Sequence, residues 1–138
     1  MRITLELTAH AIARPDPAGS LAKGQIGAWV EFAGVVRGLE NGTPIAALEY
    51  EAYDTMALRV MREILEGLAT RLACESAWVI HRIGVVPVGE TAIWIGVGAA
   101  HRETALALVA EFMNRLKQDV PIWKHRALTA ADLGASSP

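Results

Sequence analysis

Apolar and polar residues alternate at the start of the chain, Ile3, Leu5 and Leu7 against Thr4, Glu6 and Thr8, which is the two-residue period of a strand with one buried face. ARPDPAGS at 13–20 then breaks regular structure, and a short helical turn is expected over Leu21–Lys23. Strand-like sequence resumes from Ala28 to Arg37, gives way to the polar GLENGTP, which reads as a mobile loop, and returns from Ile45 to Tyr53. At Asp54, a candidate N-cap, the period changes to 3.6, with Met56, Val60, Met61, Ile64, Leu65, Leu68 and Leu72 forming one core-facing stripe. Trp78–Val85 and Thr91–Ala99 read as strands joined across Pro87 and Gly89. A second amphipathic helix opens at His101 and carries Ala105, Leu106, Leu108, Val109, Phe112, Met113 and Leu116. Pro121 stops it, a short strand follows over Pro121–Lys124, and the tail after Ala127 is small and polar enough to fray. The order implies a single α+β domain over 1–138 with a mostly antiparallel sheet and two main helices.

Composition adds little beyond hydrophobicity. Apolar residues make up 52% of the chain, compatible with an oligomer whose interface is counted among the core residues. The formal charge of -2 gives no bulk attraction to nucleic acid or membrane, and neither is expected as a partner. The single cysteine, Cys74, lies in a helical pattern and reads as a small buried apolar residue; it excludes an internal disulfide. His10 and His125 have no partner at metal-ligand spacing, so neither metal nor cofactor is expected. No signal-peptide pattern opens the chain, and the longest uncharged apolar run, Thr91–Ala100, is too short to span a bilayer, so the expected compartment is the cytoplasm.

Candidate chemistry concentrates near one helix. Ten arginines carry most of the positive charge, against three lysines, two of which, Lys117 and Lys124, stand in LKQDVPIWK. An ammonium can give up a proton or form adducts, whereas a guanidinium only binds. Pro121 between the two lysines turns the chain back, which either aims both at one spot or leaves one complementing the helix dipole and the other solvated. At the other end of the helix, His101 and Arg102 face the positive pole at a cost of about 0.3–1 kcal/mol each, a sign that a bound anion reverses. The alternative is a solvated pair with Arg102 salt-bridged to a neighbour. Arg102 and Lys117 are about 22 Å apart along a straight helix, so a shared site needs a second chain or a long substrate. Arg37 ends a strand beside the glycine-bearing loop, where an arginine can reach an anion. His81 with Arg82 reads as a satisfied or exposed strand histidine. Glu49 and Glu51 share a strand face and suit either acid/base work or cross-strand pairing with arginines.

FAGVVR (32–37), LEYEAYDTMA (48–57), HRIG (81–84), VGE (88–90), the His101-Arg102 pair and LKQDVPIWK (116–124) occur in an order and spacing that resembles the family of the large, catalytic subunit of molybdopterin synthase. The resemblance implies a hammerhead-like α+β fold and a homodimer at the centre of a 2:2 heterotetramer with a small ubiquitin-like sulfur-carrier subunit at each end. The carrier's C-terminal Gly-Gly thiocarboxylate would deliver two sulfurs to cyclic pyranopterin monophosphate, giving the molybdopterin dithiolene. It also implies catalytic roles for Lys117 and Lys124 and substrate binding by Arg37, His101 and Arg102. Arg126 departs from the acidic residue expected there, and the tail to Pro138 is short. The chain ends Ser-Ser-Pro, so the donor is expected in trans. The competing class is a non-catalytic dimeric anion sensor or ubiquitin-like-protein-binding module, which needs the arginines but not the paired lysines.

Overall fold

Residues Arg2–Thr8 form strand β1, and Ile3, Leu5 and Leu7 pack against the apolar core. The structure, a computed structural model, describes residues 1–135. An irregular strap follows, interrupted by helix α1 (Ala18–Leu21), which starts ahead of the turn expected at Leu21–Lys23. β1 pairs with β6 (Cys74–Arg82), β6 with β8 (Thr91–Ala99), and β8 with β2 (Ala28–Val35), giving a four-stranded sheet in the order β1-β6-β8-β2. The β6–β8 and β8–β2 pairs are antiparallel and β1–β6 is parallel.

Helices α2 (Asp54–Ala69) and α3 (Arg102–Asp119) cover one face of this sheet. Met61 and Leu65 of α2 and Leu108 and Phe112 of α3 join Val79, Ile95 and Val97 in one core, each such side chain stabilising the fold by about 1.5–3 kcal/mol. Met56, expected on the α2 stripe, is exposed, and Ala57 is buried instead; Leu106, expected on the apolar face of α3, is also exposed. Asp54 is the first helical residue, after Tyr53 at the cap position, so its charge complements the dipole without capping. Cys74 is buried as expected but heads a strand, because the helix ends before it.

The opposite face carries Trp29, Trp78 and Trp94 around Glu31. Its carboxylate accepts hydrogen bonds from Trp29 Nε1 (3.1 Å) and Trp94 Nε1 (3.0 Å) and pairs with Arg14 of the strap. Gly96 makes this possible: a Cβ there would meet both the Trp29 and the Trp94 ring at 2.6 Å.

A second sheet, all antiparallel, has the order β7-β5-β9, built from β7 (Gly84–Pro87), β5 (Ala47–Ala52) and β9 (Ile122–Leu128). The single strand expected over Trp78–Val85 is therefore two, bent at Gly84, whose φ of 83° favours glycine. The segment expected as a loop, GLENGTP, is a hairpin of β3 (Leu39–Glu40) and β4 (Thr43–Pro44), because Asn41 (φ 51°) and Gly42 (φ 80°) form the left-handed two-residue turn that matches strand twist. The last strand runs beyond Lys124 to Leu128, since its partner β5 is long enough to pair with it. The stretch after Ala127, expected to fray, contains helix α4 (Ala130–Ala135), opened by reciprocal hydrogen bonds between Thr129 and Asp132; residues 136–138 lie outside the described residues. Among the described residues no helix is long and apolar enough to cross a membrane.

Candidate active site

Where the helix-facing side of the first sheet runs past the end of α3, a cleft of about 450 Å³ opens toward the second sheet. Its floor is one row of the sheet register, His81, Ile93 and Gly34, with Gly34 sparing the room that a side chain would take. Met113 and Leu116 of α3, Tyr50 of β5 and Trp123 of β9 form apolar walls.

Three cations enter this cleft from three elements: Arg37 beyond β2, Lys117 from the last turn of α3, and Lys124 from β9. A register shift between Gly34 and Val35, with Val36 N–H donating to Glu90 O (3.1 Å), redirects the chain that bears Arg37. Of the two outcomes that the turn at Pro121 leaves open, the structure shows the convergent one, with both lysines lining one cleft. Helix α3 stops at Asp119, Val120 is extended, and Tyr53 N–H donates to Pro121 O (3.1 Å), pinning the reversal against β5.

The electrostatics are uneven. Lys124 lies 3.3 Å from Glu40 of the hairpin, whereas Arg37 and Lys117 form no ion pair among the described residues. Burial, followed by the charge of Glu40, pushes the Tyr50 hydroxyl above its ordinary range, so it is a hydrogen-bond donor at neutral pH. Two unpaired cations and one loosely held ammonium above an apolar floor suit a flat ligand with anionic ends.

His101 and Arg102 are not in this cleft. They stand exposed at the far end of α3, His101 at the cap position without a side-chain cap bond, and Arg102 3.7 Å from Glu103. The separation estimated from the sequence holds within one chain. Glu49 and Glu51 also lie outside it, paired across to β9: Glu49 with Arg126 at 2.7 Å and Glu51 with His125 at 3.6 Å. The departure at Arg126 thus has a local partner, directly opposite in the register.

Sequence reasoning passed over two lining residues. His81 is buried in the floor, with its Nδ1 2.7 Å from Arg82 O, and the edge-on Tyr50 ring is 5.3 Å away. The signal was alternation: His81 shares its face with the core residues Ala77 and Val79, and nothing local shows that the helices end before it.

A family model described as MoaE protein matches residues 7–119. The chain belongs to the MoaE family. It is 37% identical over 119 residues to the molybdopterin synthase catalytic subunit of Bacillus subtilis, covering 86% of this chain and 76% of that one. It is 38% identical to that of Nostoc over 71% of this chain, but spans only 60% of the Nostoc protein. In three dimensions this MoaE-family chain resembles molybdopterin synthase from Staphylococcus aureus, with a TM-score of 0.73 at 27% identity over 89% of this chain and 93% of that one.

Proposed function

We propose that this chain is the catalytic, sulfur-transferring subunit of a molybdopterin synthase, acting in the cytoplasm in molybdenum cofactor biosynthesis. The observation that carries the reading is the convergence of Arg37, Lys117 and Lys124 on one cleft, two of them without an ion-pair partner among the described residues. Family membership and the relatives named above support it.

In this reading cyclic pyranopterin monophosphate lies over the His81–Ile93–Gly34 floor. The thiocarboxylate tail of a small ubiquitin-like carrier enters beside Lys117. Glycines have no side chains to clash in a narrow entrance, and the terminal anion is drawn to the unpaired ammonium. Lys117 neutralises the attacking group or anchors its acyl end, and Lys124 contacts the pterin and moves a proton to a leaving oxygen. Arg37 holds the phosphate. His101 and Arg102 complete that anion site from the second subunit of a homodimer, which removes the distance problem within one chain. The assembly is a 2:2 heterotetramer.

The test is to combine the purified chain with the precursor and a thiocarboxylated carrier and assay for dithiolene. Product, and a 2:2 mass by light scattering, are expected. No product with a carrier that is active on another synthase rejects the reading.

A further inference from the structure

The cleft is rich in donors and short of acceptors. Arg37, Lys117, Lys124, the Tyr50 hydroxyl and the Trp123 indole all donate. No carboxylate is among the cleft's lining residues, and Glu40, 3.3 Å from Lys124, is engaged with that ammonium. Sulfur transfer nevertheless needs a base. Once the carrier's sulfur has bonded to the precursor, its glycine carbonyl is held in a thioester, and water must release it.

His81 is built for that task. A carbonyl oxygen only accepts, so the 2.7 Å contact to Arg82 O places the imidazole proton on Nδ1 and leaves Nε2 as a bare lone pair. Nε2 has no protein partner among the described residues. It is also not sealed off: the only side-chain polar atoms both shut from solvent and unpartnered there are Ser76 Oγ and Arg82 Nε. The edge-on Tyr50 ring (73° between planes) fixes the imidazole from β5. The charged groups facing it are Lys117 from α3, Lys124 from β9 and Arg37 after β2. On its own strand, Arg82 is occupied by Glu90 at 2.7 Å. Burial holds the imidazole below its ordinary range, against the smaller opposing effect of the Arg82 carbonyl, so it is neutral at pH 7.

We propose that His81 Nε2 is the proton acceptor of the cleft, taking a proton from the water that hydrolyses the carrier–precursor thioester. This rests on the sulfur-transfer reading. The water oxygen bonds to the glycine carbonyl carbon, one water proton passes to Nε2, and the carbon–sulfur bond breaks with its electron pair on sulfur. The carrier leaves as a free carboxylic acid, the sulfur stays on the pterin as a thiolate, and the imidazolium returns its proton to solvent.

The test compares wild type with His81→Phe and His81→Gln in single turnover with thiocarboxylated carrier, quenching in acid for mass spectrometry. Thioester formation should continue in both variants while release slows about 100-fold, so a covalent carrier–precursor adduct accumulates. A purely structural role would lower adduct and product together. The wild-type release rate should rise with pH to a plateau set by one group, whereas His81→Phe should lose the plateau and follow hydroxide. If His81→Phe does not fold, His81→Gln, which can still donate to the Arg82 carbonyl, is read alone. Release within threefold of wild type, or slow release without adduct, overturns the proposal while leaving the parent reading intact; a wild type inactive with a competent carrier overturns both. Independently of turnover, nitrogen-15 NMR of the imidazole should show Nδ1 protonated and Nε2 bare at pH 7, and the opposite tautomer would refute the assignment.

Discussion

Lys124 Nζ lies 3.3 Å from Glu40 Oε2, which ties the cation on β9 to the β3–β4 hairpin. Half-exposed pairs of this kind contribute about 0–1 kcal/mol, so the contact restrains Lys124 without committing it. Glu40→Gln should leave the melting temperature nearly unchanged and tighten precursor binding by up to about fivefold, because a competing carboxylate is removed. Calorimetric titration reads this directly. Weaker binding would mean that Glu40 orients the ammonium instead of competing for it.

Lys117→Ala is expected to abolish dithiolene formation while changing stability by less than about 0.5 kcal/mol, because the side chain is exposed and makes no ion pair among the described residues. Lys117→Arg should fail as well if the group gives up a proton, since a guanidinium keeps its charge but not that chemistry. Turnover near wild type in either variant, with matched circular dichroism, removes Lys117 from the reaction.

Arg37→Ala and Arg102→Ala should each weaken precursor binding by about 1.5–3 kcal/mol, roughly ten- to a hundredfold, as expected for a lost charge-assisted hydrogen bond. The two differ in topology, because Arg37 lines the cleft of its own chain and Arg102 does not. Mixed dimers of Arg37→Ala with Arg102→Ala chains should recover about half a wild-type site complement. No recovery on mixing would mean that Arg102 serves the site of its own chain, and an Arg102→Ala protein that binds precursor like wild type would place Arg102 outside the reaction.

Glu31 supplies a pH-dependent brace. Hydrogen bonds from Arg14 hold its carboxyl below the ordinary range, against burial and with help from both indoles. With the folded value depressed, the unfolded chain binds more protons between the two values. The stabilisation is therefore complete above the usual 4.5 and is lost as pH falls through the folded value. Glu31→Gln should flatten the acid limb of a melting-temperature profile, and parallel wild-type and variant curves would contradict this. Glu31→Ala, which leaves the buried Trp94 Nε1 without an acceptor, should cost about 1–3 kcal/mol.

The parts of this fold that were legible in the sequence are those set by short spacing. The stripe from Met61 to Leu68 and the stop at Pro121 follow from one helical period and one missing N–H, whereas the turn at Pro121 left the convergence of Lys117 and Lys124 as one of two open outcomes. What escaped depends on partners distant in the chain. Leu128 belongs to a strand only because Ala47 lies opposite it, and His81 belongs to the cleft only because α3 ends short of it. Asn41-Gly42 was a local turn signal that its polar surroundings disguised as an open loop. His101 and Arg102 sit where the helix start placed them, and their relation to the cleft is a question about a second chain.

The parallel pairing of β1 with β6 sets a timetable for folding. Arg2 faces Ser76 and Thr8 faces Arg82, more than half the chain away, whereas β6 and β8 are antiparallel neighbours joined through little more than β7. β1, made well before β6, therefore has no docking place until much later sequence has been made, and it joins as an edge after the β6–β8 pair exists. Thr4, Glu6 and Thr8 keep one of its faces polar during that wait, which protects a nascent chain whose other face is apolar from premature pairing. Amide protection in a refolding experiment should accordingly reach β8 before β1.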